Sequence, residues 1–428
     1  MRVFRSCALL LALACLPRAA VGDDWAGFRG PNGGAAVSAA TGLPLTWSDT
    51  EDVAWKTALP GPGSSSPVVS GDRVYVTCYS GYGEDRSDPG DPEKLTRHLI
   101  CLTLSGGKVL WDKPVRSAVP EDPYQGQLTE HGYASSTPAT DGQRVFVFFG
   151  KSGVLAFDRD GKQLWQTSVG TGSAMMGWGS AASPLLYKNL VIVNANPESQ
   201  SIVALDQETG RQVWRTEAKG YVDSFSSPSL VDMPGGKQEL LVFLPDEVWG
   251  LNPGDGALYW YCTGVRGSAI PSLVSKGGLA YVIGGGMMGT GSMAIRAGGS
   301  GDVTSSRVVW RHSAGSYVPS PVLVGDHLYW VDERGMACCV KADSGKEVYR
   351  QRVPDARSVY ASVVAADGKL YAVTRRNGTF VLPAEPTFKV LAHNRLQSDT
   401  TDFNASPAVT AGGLLLRSNR AVYRIQAK

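Results

Sequence analysis

Ile202-Val203-Ala204-Leu205-Asp206-Gln207-Glu208-Thr209-Gly210-Arg211-Gln212-Val213-Trp214 is the stretch that decides the fold of this chain. An aliphatic run long enough for one strand ends on Asp206. The Asp-x-x-Thr-Gly that follows supplies a side-chain cap and a residue tolerant of positive φ, as a tight hairpin requires. A second short strand then carries a tryptophan. The same unit recurs at Gly153–Trp165, Leu99–Trp111 and Glu247–Trp260, and at Gly335–Tyr349 with tyrosine in the tryptophan place.

Working outward, each unit is preceded by small residues and a proline and then by two more strands. Ser64-Ser65-Ser66-Pro67 leads into one such pair, and Ser135-Ser136-Thr137-Pro138 and Ala182-Ser183-Pro184 into the next two. Self-similarity at this spacing marks a repeat architecture. Four strands per unit predict an all-β, eight-bladed β-propeller of four-stranded antiparallel blades. The eighth unit begins at Ala405-Ser406-Pro407 and lacks its fourth, Trp-bearing strand; Val53-Ala54-Trp55-Lys56 stands near the other end with no strands ahead of it. Pairing the two would complete the last blade with an N-terminal strand and remove both open edges. The expected organisation is a signal peptide at 1–22, an extended segment at 23–52, and one propeller domain at 53–428. A repeat fold also explains how about 406 residues form a single domain, since each unit packs only on its neighbours.

The compartment is read from the first residues. Arg2 and Arg5 precede the apolar run Cys7–Leu16, and Ala20-Val21-Gly22 offers small residues for cleavage before Asp23. That is a secretory signal, too short to span a bilayer, and no later stretch is long and apolar enough. Acylation at Cys15 fits less well, because Ala12 stands where a larger aliphatic residue is usual. The expected location is periplasmic or secreted. Losing Arg2, Arg5 and Arg18 turns 41 basic residues into 38 against 39 acidic ones. A near-neutral mature chain has no electrostatic footprint for nucleic acid. Cys78 and Cys101 fall in strands that should be neighbours, so an oxidising compartment could join them; packing as small apolar residues is the alternative.

The L-x-A-L-D-x-x-T-G-x-x-x-W pattern resembles the repeat of the PQQ-like β-propeller superfamily. Length and export signal are similar to BamB-like proteins, the propeller subunits of bacterial outer-membrane assembly machinery. The resemblance implies a non-catalytic scaffold with a protein partner in the cell envelope. Two alternatives are a carbohydrate or small-ligand site at the channel mouth, and a PQQ-dependent oxidoreductase or other propeller enzyme. Quinoprotein dehydrogenases of the superfamily set a vicinal disulfide against PQQ. Here Cys338-Cys339 aligns with a third strand, where alternation sends the two side chains to opposite faces, and no matching Ca²⁺ and quinone ligands are evident. The expectation is therefore no cofactor, no metal site and no catalytic set.

Loop lengths point to one face as the working surface. Tyr79–His98, Pro114–Ala134, Gly170–Gly179 and Gly284–Gly291 are long, whereas most turns of the other face are minimal; long loops on a compact fold are usually functional. Aromatic residues precede the inner strands there: Tyr133, Trp178, Phe225, Tyr317, Tyr360 and Phe403. Their polar companions are Glu130, His131, Asp223, Arg266, Arg357 and Asp402. A convergent rim of this kind suits a peptide, a saccharide or a planar molecule. Gly284-Gly285-Gly286-Met287-Met288-Gly289 fits a dinucleotide fingerprint only on paper, since a strand rather than a helix is expected after it. The acidic run Asp85–Glu93 lacks the spacing of a Ca²⁺ loop.

Overall fold

The computed structural model describes residues 24–30, 35–117, 119–221, 223–265, 267–286 and 289–427. The signal peptide, Cys15, Arg266 and the Met287-Met288 pair lie outside them.

Eight antiparallel sheets form the ring, each running from an inner strand at the axis to an outer strand at the girth. Blade 1 comprises Val68–Ser70, Arg73–Ser80, Thr96–Thr103 and Val109–Arg116. Blade 8 consists of Ala408–Thr410, Gly413–Arg417 and Ala421–Gln426, completed by the N-terminal Val53–Ala58. Trp55 pairs with Arg424 and Ala58 with Ala421, so the expected closure is the one observed. Apolar layers fill the gaps between neighbouring blades. Val145 and Leu155 pack toward blade 1, for example, and Phe146 and Ala156 toward blade 3.

The recurrent tryptophan works through a β-bulge that the linear pattern does not show. In blades 1–6 and 8 the residue before the aromatic is skipped in the ladder: Ala204 pairs with Trp214 and Leu205 with Gln212, leaving Val213 out. The skipped residues include Leu110, Leu164, Val213, Tyr259, Val309 and Val348, all exposed. A bulge sharpens local twist and re-aims the next side chain. Here it turns the ring onto the following blade. Trp165 lies against Gly210, whose φ is 69°, and its Nε1 donates to the Gln207 carbonyl at 3.0 Å. Trp55, Trp111, Trp214 and Trp310 make the same contact, at 2.8–3.2 Å. Trp260 is the exception and donates to Glu239 in its own blade at 2.7 Å. The reason is the long connection 297–307, which replaces a tight turn in blade 5 and adds Gly301–Asp302 to the outer edge of blade 4.

Two expectations are corrected. Cys78 pairs with His98 and Cys101 with Tyr75, so the thiols project from opposite faces of blade 1 into different apolar layers. Both are free, and no bridge can join them without moving the sheet. The first long loop of blade 1 is also shorter than expected, because residues 79–80 and 96–98 are strand and leave 81–95; the second is displaced rather than shortened, with 114–116 in strand and the link running over 117–138. Cys338 and Cys339 alternate as expected, the first into the layer with Trp330, the second into the layer with Tyr329.

Residues 24–47 are more than an extended lead. Trp25 bridges Val69 of blade 1, and the Ala26 carbonyl accepts from Thr140 N of blade 2. Arg29 donates to the Pro321 carbonyl at blade 6, across the ring, and Val37–Ser38 pairs in parallel with blade 7. This segment is a strap across the minimal-turn face.

Candidate functional site

The axis is built from one repeated sequence position. Seven backbone N–H groups each donate to a hydroxyl of the next blade. Ser66 N donates to Thr137 Oγ1, Thr137 N to Ser183 Oγ, and so on through Ser227, Ser272, Ser320 and Ser362 to Ser406, all at 2.9–3.0 Å. Each hydrogen bond is worth roughly 1 kcal/mol net. At the eighth junction, where the ring closes, Ser66 Oγ is buried without a partner.

Two residues before each member of this ring stands a side chain that faces the axis: Ser64, Ser135, Ala181, Phe225, Ile270, Val318, Tyr360 and Asn404. The ring is therefore two-sided, polar over blades 8, 1 and 2 and apolar over blades 3 to 7. With Glu130, His131, Trp178 and Tyr317 it encloses a chamber of about 150 Å³ on the long-loop face. Phe28 of the strap belongs both to its wall and to that of a second cavity, of about 400 Å³, toward the opposite face. Phe28 is thus the floor.

Trp178 and Phe225 stack at 6.0 Å between ring centroids. Glu130 and His131 come from the single helical turn Leu128–His131 within the blade 1–2 link. Ser135 lies 2.6 Å from His131 Nδ1. Burial lowers the His131 pKa to about 4, so its imidazole is neutral at pH 7. Glu130 pairs with Arg375, which also contacts Asp402 at 2.6 Å and lies 4.6 Å from the Tyr360 ring centroid. Asn404 Nδ2 donates to the Glu130 carbonyl at 2.8 Å, while its Oδ1 is buried without a partner.

Behind this wall the links are locked by a second polar cluster. Arg97 pairs with Glu121 at 2.9 Å and Lys151 with Asp122 at 2.8 Å, all four side chains nearly inaccessible. Ser180 donates to Glu198 Oε1, and Glu198 Oε2 has no partner. Burial raises the Glu198 pKa to about 7.

Of the residues expected at the rim, Glu130, His131, Trp178, Phe225, Tyr317 and Tyr360 line the chamber. Tyr133 instead packs with Tyr79, Tyr82 and Tyr124, and its hydroxyl donates to the Asp122 carbonyl. Asp223 receives Met175 N at 2.8 Å, Asp402 braces Arg375 and Arg376, and Phe403 stacks on Tyr423. Arg357 is exposed and outside the chamber wall. Arg266 lies outside the described residues. Phe28, Asn404, Arg375 and the serine ring were not anticipated. The serine ring had a visible signal in six blades, the Ser or Thr before a proline, which reads equally well as a blade start; Ser272 and Ser362 lack that proline. Among the described residues no cluster of three or more His, Cys, Asp or Glu could hold a metal ion.

A family model described as outer membrane protein assembly factor BamB matches residues 94–220, 135–268 and 299–385, together more than half of the chain. A curated relative, the outer membrane protein assembly factor BamB of Yersinia pestis, is 24% identical over 352 residues, covering 67% of this chain and 82% of its own. In structure the chain is similar to BamB from Moraxella catarrhalis, with a TM-score of 0.61 at 12% identity over 88% of this chain and 97% of that one. It is also similar to quinohemoprotein alcohol dehydrogenase from Comamonas testosteroni, with a TM-score of 0.53 at 12% identity over 95% and 81%. Likeness at this identity carries the fold alone.

Proposed function

From a chain that belongs to the outer membrane protein assembly factor BamB family, we propose an exported, non-catalytic scaffold that docks a protein partner in the cell envelope through its long-loop face. The observation that carries this reading is the blade 2–3 link. Met175 and Met176 are 72% and 63% exposed, the two most exposed large hydrophobic residues among the described ones, in the same link as Trp178, which stacks on Phe225. Methionine adapts its shape to a partner surface, and apolar side chains held in water beside aromatic rings are characteristic of a docking site. The loop presenting them is anchored, by Met175 N to Asp223 and by Ser173 to Asp122 at 2.5 Å, so little order has to be gained on binding.

The reading includes no resident quinone or calcium. Supporting it, Cys338 and Cys339 are buried in different layers rather than side by side at the axis, and burial pushes both thiols well above their ordinary pKa. Among the described residues no helix is long and apolar enough to cross a membrane.

Crosslinking in the native envelope followed by capture of the intact chain tests the proposal. A discrete protein partner is expected. The double variant Met175→Ser/Met176→Ser should retain the wild-type melting temperature and lose at least tenfold in capture. Equal capture by the variant would move the docking surface elsewhere, and no partner at all would sink the scaffold reading.

A further inference from the structure

The chamber beneath the docking rim has a chemistry of its own. It opens toward the long-loop face with Phe28 between it and the cavity beyond, and its volume of about 150 Å³ matches a cavity that holds a single aromatic ring. Flat side chains form one half of the wall: Trp178, Phe225, Tyr317 and Tyr360, with Ile270 and Val318 between them. Asn404 and Ser66 belong to the other half, and among the described residues Asn404 Oδ1 and Ser66 Oγ, both buried, find no hydrogen-bond partner. Ser66 is almost wholly buried, and it belongs to the one ring position whose hydroxyl accepts nothing from the neighbouring blade. A buried polar atom without a partner costs roughly 1–3 kcal/mol. Two of them at the closing seam, both on residues lining one pocket, mark where a ligand would be held.

We propose that this chamber binds a small aromatic molecule, one ring or an indole in size, carrying an O–H or N–H donor. The ring packs against the Trp178–Phe225 stack. Its donor goes to Asn404 Oδ1, and where the group is a hydroxyl its oxygen accepts from Ser66 Oγ. A ring without a donor fills the same volume and leaves both protein atoms unpaired, so the site discriminates by that one group. This site is independent of the partner reading: it needs no second protein, and either can fail while the other stands.

Titration calorimetry with phenol and toluene on the intact chain provides the test. Phenol should bind saturably at millimolar concentration or below, at least tenfold tighter than toluene. Asn404→Leu should abolish that preference. Since Asn404 also holds the Glu130 carbonyl, Ser66→Ala gives a second arm that removes no hydrogen bond of the free protein; its phenol-to-toluene ratio should drop severalfold at an unchanged melting temperature. N-acetyl-tyrosinamide separates the sources of the ring. Phenol alone binding indicates a free molecule, and tighter binding of the tyrosine derivative indicates a side chain of a peptide. Toluene binding as well as phenol, neither binding, or a ratio unmoved by both variants would overturn the proposal.

Discussion

Two titratable residues on either side of the chamber wall pull in opposite directions. Glu198 has its pKa raised to about 7 by burial, from an ordinary value of 4.5. Its contribution to stability is fully present below pH 4.5 and is lost as the pH rises to 7, where a charge must be buried. His131 is held down at about 4 from an ordinary 6.5, so its contribution is present above pH 6.5 and is lost as the pH falls to 4. Each shift corresponds to at most about 3 kcal/mol, and between pH 4.5 and 6.5 the two offset one another. Glu198→Gln is therefore expected to uncover an acid-labile protein whose denaturation midpoint drops between pH 6.5 and 4. His131→Gln should do the reverse, gaining stability from pH 7 down to 4.5. Urea melts of the wild type and both variants across this range check it, and three parallel curves would refute it. Neither role was legible in the sequence. Glu130-His131 stood out as a polar pair, but Glu198 follows a proline in an unremarkable stretch, and only the convergence of two links buries it. Chain neighbours are visible in a sequence; the third dimension that desolvates them is not.

At the level of the blade, the sequence showed the tryptophan and the glycine but not what joins them. The Trp-to-Gly contact between neighbours depends on the bulge at the preceding residue, and a bulge leaves no mark in composition. The skipped residue before each ring is left exposed, as in Leu164-Trp165 and Val213-Trp214. The contact predicts a difference between two glycines with similar backbones. Gly210 (φ 69°) and Gly220 (φ 87°) both pay the cost of alanine at positive φ, roughly 1 kcal/mol. A methyl at Gly210 would also stand 2.6 Å from Trp165 Cδ2, whereas at Gly220 it meets nothing within 4 Å. Gly210→Ala should therefore cost about 2–4 kcal/mol once overpacking is added, and Gly220→Ala about 1. Equilibrium unfolding of the two variants measures the difference. Equal losses would mean that the tryptophan gives way without cost.

Across the whole molecule, the blade count and the closing strand were legible because both follow from repetition, and the strap was not because it occurs once. Residues 24–47 lack the repeat's pattern, yet Trp25, Arg29, Ala36, Leu43 and Trp47 are all buried. Arg29 is the odd member. Burial lowers its pKa to about 9, and Nε and Nη1 have no partner, so the strap places a desolvated cation at the ring's centre with one carbonyl to receive it. That arrangement makes sense if crossing the ring matters more than the local cost. A repeat array without a strap couples only nearest neighbours. This one ties blades 1 and 2 to blades 6 and 7 directly, so a perturbation at one end should be felt at the other. Trp25→Ala removes a buried ring beside Val69, at a cost of roughly 3–5 kcal/mol. If the strap acts as one body, amide exchange should accelerate at Ala365, which donates to the Ala36 carbonyl, as well as in blades 1 and 2, while Ile192 and Val242 in the intervening blades keep their protection. Exchange that rises in blades 1 and 2 and leaves Ala365 untouched would reduce the strap to two separate contacts. The Phe28 floor of the chamber would then be held from one side only.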